Sequence, residues 1–152
     1  MQQKKPWDWN IMEEGEEYQD EYVLTPELVK RYTDALGIDH PWYTTSSPWG
    51  GPIAPPSWIA QLHSRLMNVT YEPHSGAIHT RIDAKFFRPA LVGKKIRQYG
   101  RLTDKYVKRG REYITYENWS VDEDGNEICR ETREILVRFA RREGSEVGDG
   151  ND

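Results

Sequence analysis

The chain has a single cysteine in 152 residues, so Cys129 has no partner for an internal disulfide, and a reducing, cytoplasmic compartment is the expectation. No run of about twenty apolar residues occurs, the length a bilayer-crossing helix needs. The mean hydropathy of -0.89 is that of a polar-surfaced chain, so no membrane partner is expected. Met1 to Glu17 carries Lys4 and Lys5 with no apolar stretch behind them, unlike a secretory leader. The four histidines never share ligand spacing with a second donor, so no metal is expected. A net charge of -4 argues against a polyphosphate partner such as nucleic acid. Phenylalanine is scarce, but six Trp and nine Tyr point to a large apolar cavity or a sizeable protein interface. Composition does not choose between the two.

The length suits one domain with one core. Residues 1–17 show no sustained period and read as an arm whose Pro6-Trp7-Asp8-Trp9 cluster can dock on a neighbouring surface. Residues 18–140 form the domain, and residues 141–152, rich in glycine and acid, read as a disordered tail. Thr25-Pro26-Glu27 starts a helix with a capping hydroxyl, a proline and an acid; it runs to Leu36, with Leu28, Tyr32, Ala35 and Leu36 on one face and Gly37 behind it. The prolines and glycines of Ile38 to Pro56 predict a long irregular loop, a length usually tied to function. A second helix starts at Pro55-Pro56, with Ile59, Leu62, Leu66 and Met67 as its apolar stripe and Trp58 and Ala60 beside it.

After Pro73 the period falls to two. Ile78, Thr80, Ile82, Ala84 and Phe86 alternate with His79, Arg81, Asp83 and Lys85, which predicts a strand. Lys95 to Tyr106, Arg111 to Val121 and Glu127 to Phe139 continue the pattern, reversing at Gly110 and at Asp124-Gly125-Asn126 as an antiparallel meander. One buried helix wrapped by a strongly curved antiparallel sheet, an α+β arrangement, buries the stripe most economically.

Three motifs in this order carry a resemblance: Gly51-Pro52-Ile53-Ala54-Pro55-Pro56-Ser57 leading into the central helix, Phe86-Phe87-Arg88-Pro89 followed by Gly93, and Leu102-Thr103-Asp104-Lys105-Tyr106 with Lys108-Arg109-Gly110-Arg111 at a hairpin. Over Glu21 to Val137 the chain resembles the MaoC-like hot-dog family, above all its N-terminal-type branch in fatty-acid dehydratase and steroid side-chain hydratase subunits. The resemblance implies a hot-dog fold and hydration or dehydration of acyl thioesters carried on coenzyme A or an acyl-carrier protein, with no other cofactor. It also implies pairing of two hot-dog sheets, as a homodimer or as a heteromer with a catalytic subunit.

In catalytic members an Asp-x-Asn-Pro-x-His loop supplies the acid and base. Registered on Pro41, this chain has Ile38 at the aspartate position, His40 at the asparagine position and Tyr43 at the histidine position. Pro55-Pro56 replaces a His-Gly pair, a form the resemblance associates with non-catalytic subunits that shape the acyl cavity, and proline offers no N–H to an oxyanion. The favoured expectation is therefore a substrate-cavity subunit. The alternatives are a stand-alone hydratase using Asp39 and His40 after a one-residue loop shift, and a binding module without turnover.

The free N–H groups at the start of the central helix suit a thioester carbonyl. Tyr43, Trp49, Ile53, Ala54, Pro56, Ser57 and Trp58 are the candidates for substrate contact; Tyr43, Trp42 and Trp49 read equally as tunnel wall or core aromatics. The plainer reading of Asp39 and His40 is as loop caps, Asp39 through the backbone amides after Gly37. His63 reads as a satisfied core or interface histidine. Arg88, Lys94 and Lys95 are the candidates for the phosphates of coenzyme A or a carrier arm, against the plainer reading of solvated loop charge. Lys105 to Arg111 reads as a solvated hairpin tip.

Overall fold

The computed structural model, which describes residues 3–74 and 76–139, has the four strands expected from period-two alternation and a fifth, at Glu17–Val23, whose residues do not alternate. They are β1 (Glu17–Val23), β2 (Ile78–Phe86), β3 (Lys95–Lys108), β4 (Arg111–Asp122) and β5 (Glu127–Leu136), in one antiparallel sheet of order β1-β3-β4-β5-β2. Arg109 and Gly110, at φ 52° and 68°, close the β3–β4 hairpin with the doubly left-handed turn that matches strand twist. The expected tail, 141–152, lies outside the described residues, as does residue 140. Among the described residues no helix is long and apolar enough to cross a membrane.

Every second residue of the central strands faces inward: Ile96, Gln98, Gly100 and Leu102 on β3, Ile114, Tyr116, Asn118 and Ser120 on β4, Cys129, Glu131, Arg133 and Ile135 on β5. The β3 and β5 rows are apolar at their ends and polar between, while the β4 row runs from Ile114 and Tyr116 to Asn118 and Ser120, and the core divides in two. Leu66, Tyr71, Leu102, Ile114, Tyr116 and Ile135 belong to one cluster. Leu24, Val29, Ala54, Ile59, Ile96, Ile128 and Cys129 belong to the other. Between them Gln98, Asn118, Ser120, Glu131, Arg133 and His63 are all buried. Gly100 leaves room for this belt, because a Cβ there would stand 2.5 Å from Asn118 Oδ1 and 2.9 Å from Leu66 Cδ2.

The first helix, α1 (Pro26–Leu36), begins and ends as its sequence predicts: Thr25 Oγ1 accepts from the Leu28 N–H at 3.3 Å, and Gly37 takes φ 65°. Its buried face differs from the expected one. Val29 and Thr33 point inward while Leu36 is 57% exposed, because the helix packs on Leu24 and Ile96 through Val29, leaving Leu28 and Tyr32 on its flank. The predicted irregular loop holds one helical turn, α2 (Pro41–Thr44), capped by His40.

The central helix, α3 (Pro56–His63), is shorter than its apolar stripe predicts, and Leu66–Val69 forms a separate 3-10 turn. Arg133 is the cause. Its Nη2 donates to the Ala60 carbonyl, the acceptor an unbroken helix would give to the Ser64 N–H. The Ser64 N–H turns instead to Gln61 and the Arg65 N–H to Leu62, each at 3.1 Å. The N-terminal aromatics dock on the chain's own domain, with Trp7 Nε1 donating to the Val137 carbonyl at 3.1 Å and Trp9 Nε1 to the Tyr113 carbonyl at 2.9 Å.

Glu131 receives Arg133 Nε and Nη2 and, at 3.3 Å, Asn118 Nδ2. Burial alone would raise its carboxyl, but His63 and Arg133 beside it outweigh burial and hold it below its ordinary 4.5. A depressed folded value stabilises above the unfolded pKa and is lost as pH falls through the folded one. Thermal melts should therefore drop steeply below about pH 4.5 in the wild type and less so in Glu131→Gln. Arg133→Ala, which strands a buried carboxylate, should cost roughly 3–5 kcal/mol in denaturant titrations. Gly100→Ala should cost about 1–3 kcal/mol by overpacking. Unchanged unfolding midpoints would remove the belt from the account of stability.

Candidate functional site

The segment entering α3 is tied on two sides. Ile53 N–H donates to the Trp42 carbonyl at 2.8 Å and Ala54 N–H to the Ala90 carbonyl at 2.9 Å; Val92 N–H returns to the Pro52 carbonyl at 2.9 Å. These bonds hold the α2 turn, the start of α3 and the connection after β2 around one cleft of about 280 Å³. The α2 region contributes Trp42, Tyr43 and Trp49, with the two indoles edge-to-face at 5.3 Å. Ile53, Ala54, Pro56 and Ile59 form the helix side, and Phe86, Phe87, Arg88, Pro89, Ala90 and Ile128 form the sheet side.

Of the candidates for substrate contact, Tyr43, Trp49, Ile53, Ala54 and Pro56 stand in this wall. Ser57 and Trp58 do not. Pro56 and Ile59, three apart on the helix, take the cleft face, so the two residues between them are rotated away. Ser57 Oγ lies 3.1 Å from Tyr32 OH, and Trp58 packs on Tyr32 and the second core cluster. Phe86, Phe87 and Ile128 complete the wall without having been singled out for contact. The two phenylalanines carry a sequence signal, a Phe-Phe-Arg-Pro run at the end of a strand, where side chains turn from a sheet face towards a loop; Ile128, at the start of β5, carries none.

The donor supply at the helix start is thin. Pro55 and Pro56 carry no N–H, and the Trp58 N–H bonds the Pro55 carbonyl at 3.0 Å. The Ser57 N–H is the first one left for a ligand oxygen.

Asp39 and His40 lie outside the cleft wall. Asp39 is exposed, and His40 Nδ1 accepts the Trp42 N–H at 3.2 Å as the α2 cap. The imidazole touches the cleft wall from behind, with ring centroids 5.2 Å from Trp42 and 5.6 Å from Tyr43. The three cations expected to act together are also separated. Lys94 Nζ bonds Asp124 at 2.8 Å, which raises its pKa, and Lys95 Nζ bonds Glu21 at 3.1 Å. Arg88 stands in the cleft wall with no ion-pair partner among the described residues.

A second group of chemically capable side chains sits in the belt. His63 Nε2 bonds Ser120 Oγ, and His63 Nδ1 is 3.3 Å from Glu131 Oε1 without hydrogen-bond geometry. With Cys129 these donors fall within 4.8 Å of one another. Burial pushes the Cys129 thiol up to about 12, so it stays protonated, and Glu131 is already taken by Arg133 and Asn118. The group is a buried structural network rather than an open ligand set.

A family model, the FAS1-like dehydratase domain region, matches residues 14–131. The chain belongs to that family. Its MaoC-like, hot-dog α+β architecture is shared with solved structures. The R-hydratase PhaJ1 from Pseudomonas aeruginosa, in the unliganded form, aligns with a TM-score of 0.74 at 14% identity, over 87% of this chain and 86% of that one. The HadBC (3R-hydroxyacyl-ACP dehydratase) complex from Mycobacterium tuberculosis gives 0.68 at 15% identity, over 80% and 95%. The ChsH1-ChsH2 complex from the same organism gives 0.69 at 12% identity, over 84% and 100%. No curated protein matches the sequence.

The geometry makes His40 a helix cap in this FAS1-like dehydratase-region protein. His40→Ala should then lower stability by about 0.5–2 kcal/mol, read as a fall in unfolding midpoint, while His40→Asn, which keeps a side-chain acceptor, should recover most of it. Equal losses in both variants would remove the capping role.

Proposed function

We propose that this chain is the substrate-cavity subunit of a hydratase or dehydratase acting on acyl thioesters, with the acid and base supplied by a partner hot-dog subunit. The observation that carries this reading is the composition of the cleft wall: among the described residues it contains no carboxylate and no imidazole. Water addition to an enoyl thioester needs a group to take a proton and a group to give one. An apolar wall instead holds a fatty tail by burying it, at about 25 cal/mol per Å². The carrier would be coenzyme A or an acyl-carrier protein, and no further cofactor is invoked.

Pairing is supported by β2, whose residues are all exposed, with Ile82 at 48% and Phe86 at 45% on a free sheet edge. Such an edge offers unpaired N–H and C=O groups to another strand. Two of the structural neighbours are two-component complexes by their names.

One observation favours a second reading. His40 uses Nδ1 in its cap and its Nε2 has no hydrogen bond among the described residues, while its ring lies against Trp42 and Tyr43, so a shift of the α2 turn would bring an Asp39–His40 pair to the cleft. The two readings separate in an enoyl-CoA hydration assay combined with calorimetric titration of an acyl-CoA. The cavity reading expects binding by the purified chain, no turnover alone, and turnover with a co-expressed hot-dog subunit that carries an intact Asp-x-Asn-Pro-x-His loop. Turnover by the chain alone, abolished in His40→Ala, would replace it with the stand-alone enzyme; binding without turnover in every pairing would leave a binding module.

A further inference from the structure

We infer that Arg88 is the specificity-determining residue of the cleft, selecting ligands that carry an oxyanion beside their apolar tail. The inference rests on the acyl-binding reading of the cleft and adds a charge requirement to it. Of the residues in the cleft wall, Arg88 is the one with a formal charge. The neighbouring cations are occupied: Lys94 by Asp124 at 2.8 Å and Glu123 at 3.5 Å, Lys95 by Glu21 at 3.1 Å, and Lys85 over the Phe87 ring at 5.1 Å. Arg88 has no such partner among the described residues, so its charge remains available.

Its backbone is held firmly. The Phe87 and Arg88 N–H groups converge on the Ile128 carbonyl at 2.9 and 3.5 Å, Pro89 follows with its fixed φ, and Ala90 accepts from Ala54 at the start of α3. The guanidinium therefore extends from a fixed point where sheet, connection and helix meet. Phe86, Phe87 and Trp49 share the wall with it, and all four side chains are exposed, so the guanidinium is open to an anionic group arriving with an apolar tail. Guanidinium is weakly hydrated and presents a planar fork that takes two oxygens of a phosphate or carboxylate at once.

Two ligand classes supply that chemistry next to an acyl chain: the phosphate of a phosphopantetheine arm and the carboxylate of a free fatty acid. Calorimetric titrations of the full chain with an acyl-CoA, the same acyl chain on unphosphorylated pantetheine, and the free acid distinguish them. If phosphate is the anion, Arg88→Gln should weaken acyl-CoA about ten- to a hundredfold, the range of a charged hydrogen bond, and leave acyl-pantetheine unchanged; Arg88→Lys should recover part of the loss. Added salt should weaken acyl-CoA binding in the wild type and much less in Arg88→Gln. If the carboxylate is the anion, the same pattern appears with the free acid, which supports the inference and overturns the thioester reading. Acyl-CoA and free-acid binding both unaffected by Arg88→Gln overturn the inference and leave the cavity reading standing. Equal losses for all three ligands also overturn it, since they would mean a damaged wall. Absence of binding by any of the three overturns both.

Discussion

The Arg133 guanidinium is the contact on which most of this structure depends. It grips the Glu131 carboxylate with two nitrogens and takes the Ala60 carbonyl of α3 with one of them, so it joins the sheet to the helix the sheet wraps. Neither group would be tolerable here alone. Glu131 is 1% exposed and Arg133 4%, and an unpaired charge at that depth costs several kcal/mol. Paired, they fix where α3 lies along β5, because only one helical carbonyl meets the fork. They also end α3 at His63, which sets the length of rod on which Pro56 and Ile59 face the cleft.

This device was not legible in the sequence. The apolar spacing of Ile59, Leu62, Leu66 and Met67 continues as though one helix ran through all four. The interruption comes from a side chain 73 residues downstream of Ala60, beyond any local pattern. The strands were far more legible, since alternation of one buried and one solvated face is a local property; Lys95–Lys108 and Arg111–Asp122 extend the expected spans by one or two residues. The face of α1 was misjudged for a related reason: counting apolar residues favours Leu28 and Leu36, whereas contact with Leu24 and Ile96 selects Val29 and tolerates Thr33, whose hydroxyl returns to the Val29 carbonyl at 3.2 Å.

The cleft shows the same division. Tyr43, Trp49, Ile53, Ala54 and Pro56 were accessible to motif reading because they lie in a Gly-Pro-Ile-Ala-Pro-Pro turn and the loop before it. Ser57 and Trp58 share that motif but not the helical angle, so only the three-dimensional phase of α3 separates them from their neighbours. Charge was the least legible feature. Arg88, Lys94 and Lys95 are equivalent as letters, and what distinguishes them is the presence of Glu21, Glu123 and Asp124 next to the two lysines.

In the cavity reading, a wall with no carboxylate and no imidazole among the described residues still has a place in hydration. Tail binding that is equal in ground and transition states lowers the substrate concentration needed but does not speed the chemical step. It becomes catalytic when the held tail fixes the reacting carbons against groups borne elsewhere, since orientation removes most of the entropy of the encounter. Phe86, which lines this cleft, ends β2, an edge strand of the described sheet with Ile78, Ile82 and Phe86 exposed. A sheet added to that edge would bring a second set of side chains to the border of the cleft without disturbing the belt that positions α3. In the cavity reading, the rigid interior and the unfinished edge are therefore complementary parts: the interior fixes where the ligand lies, and the edge decides which chemistry reaches it.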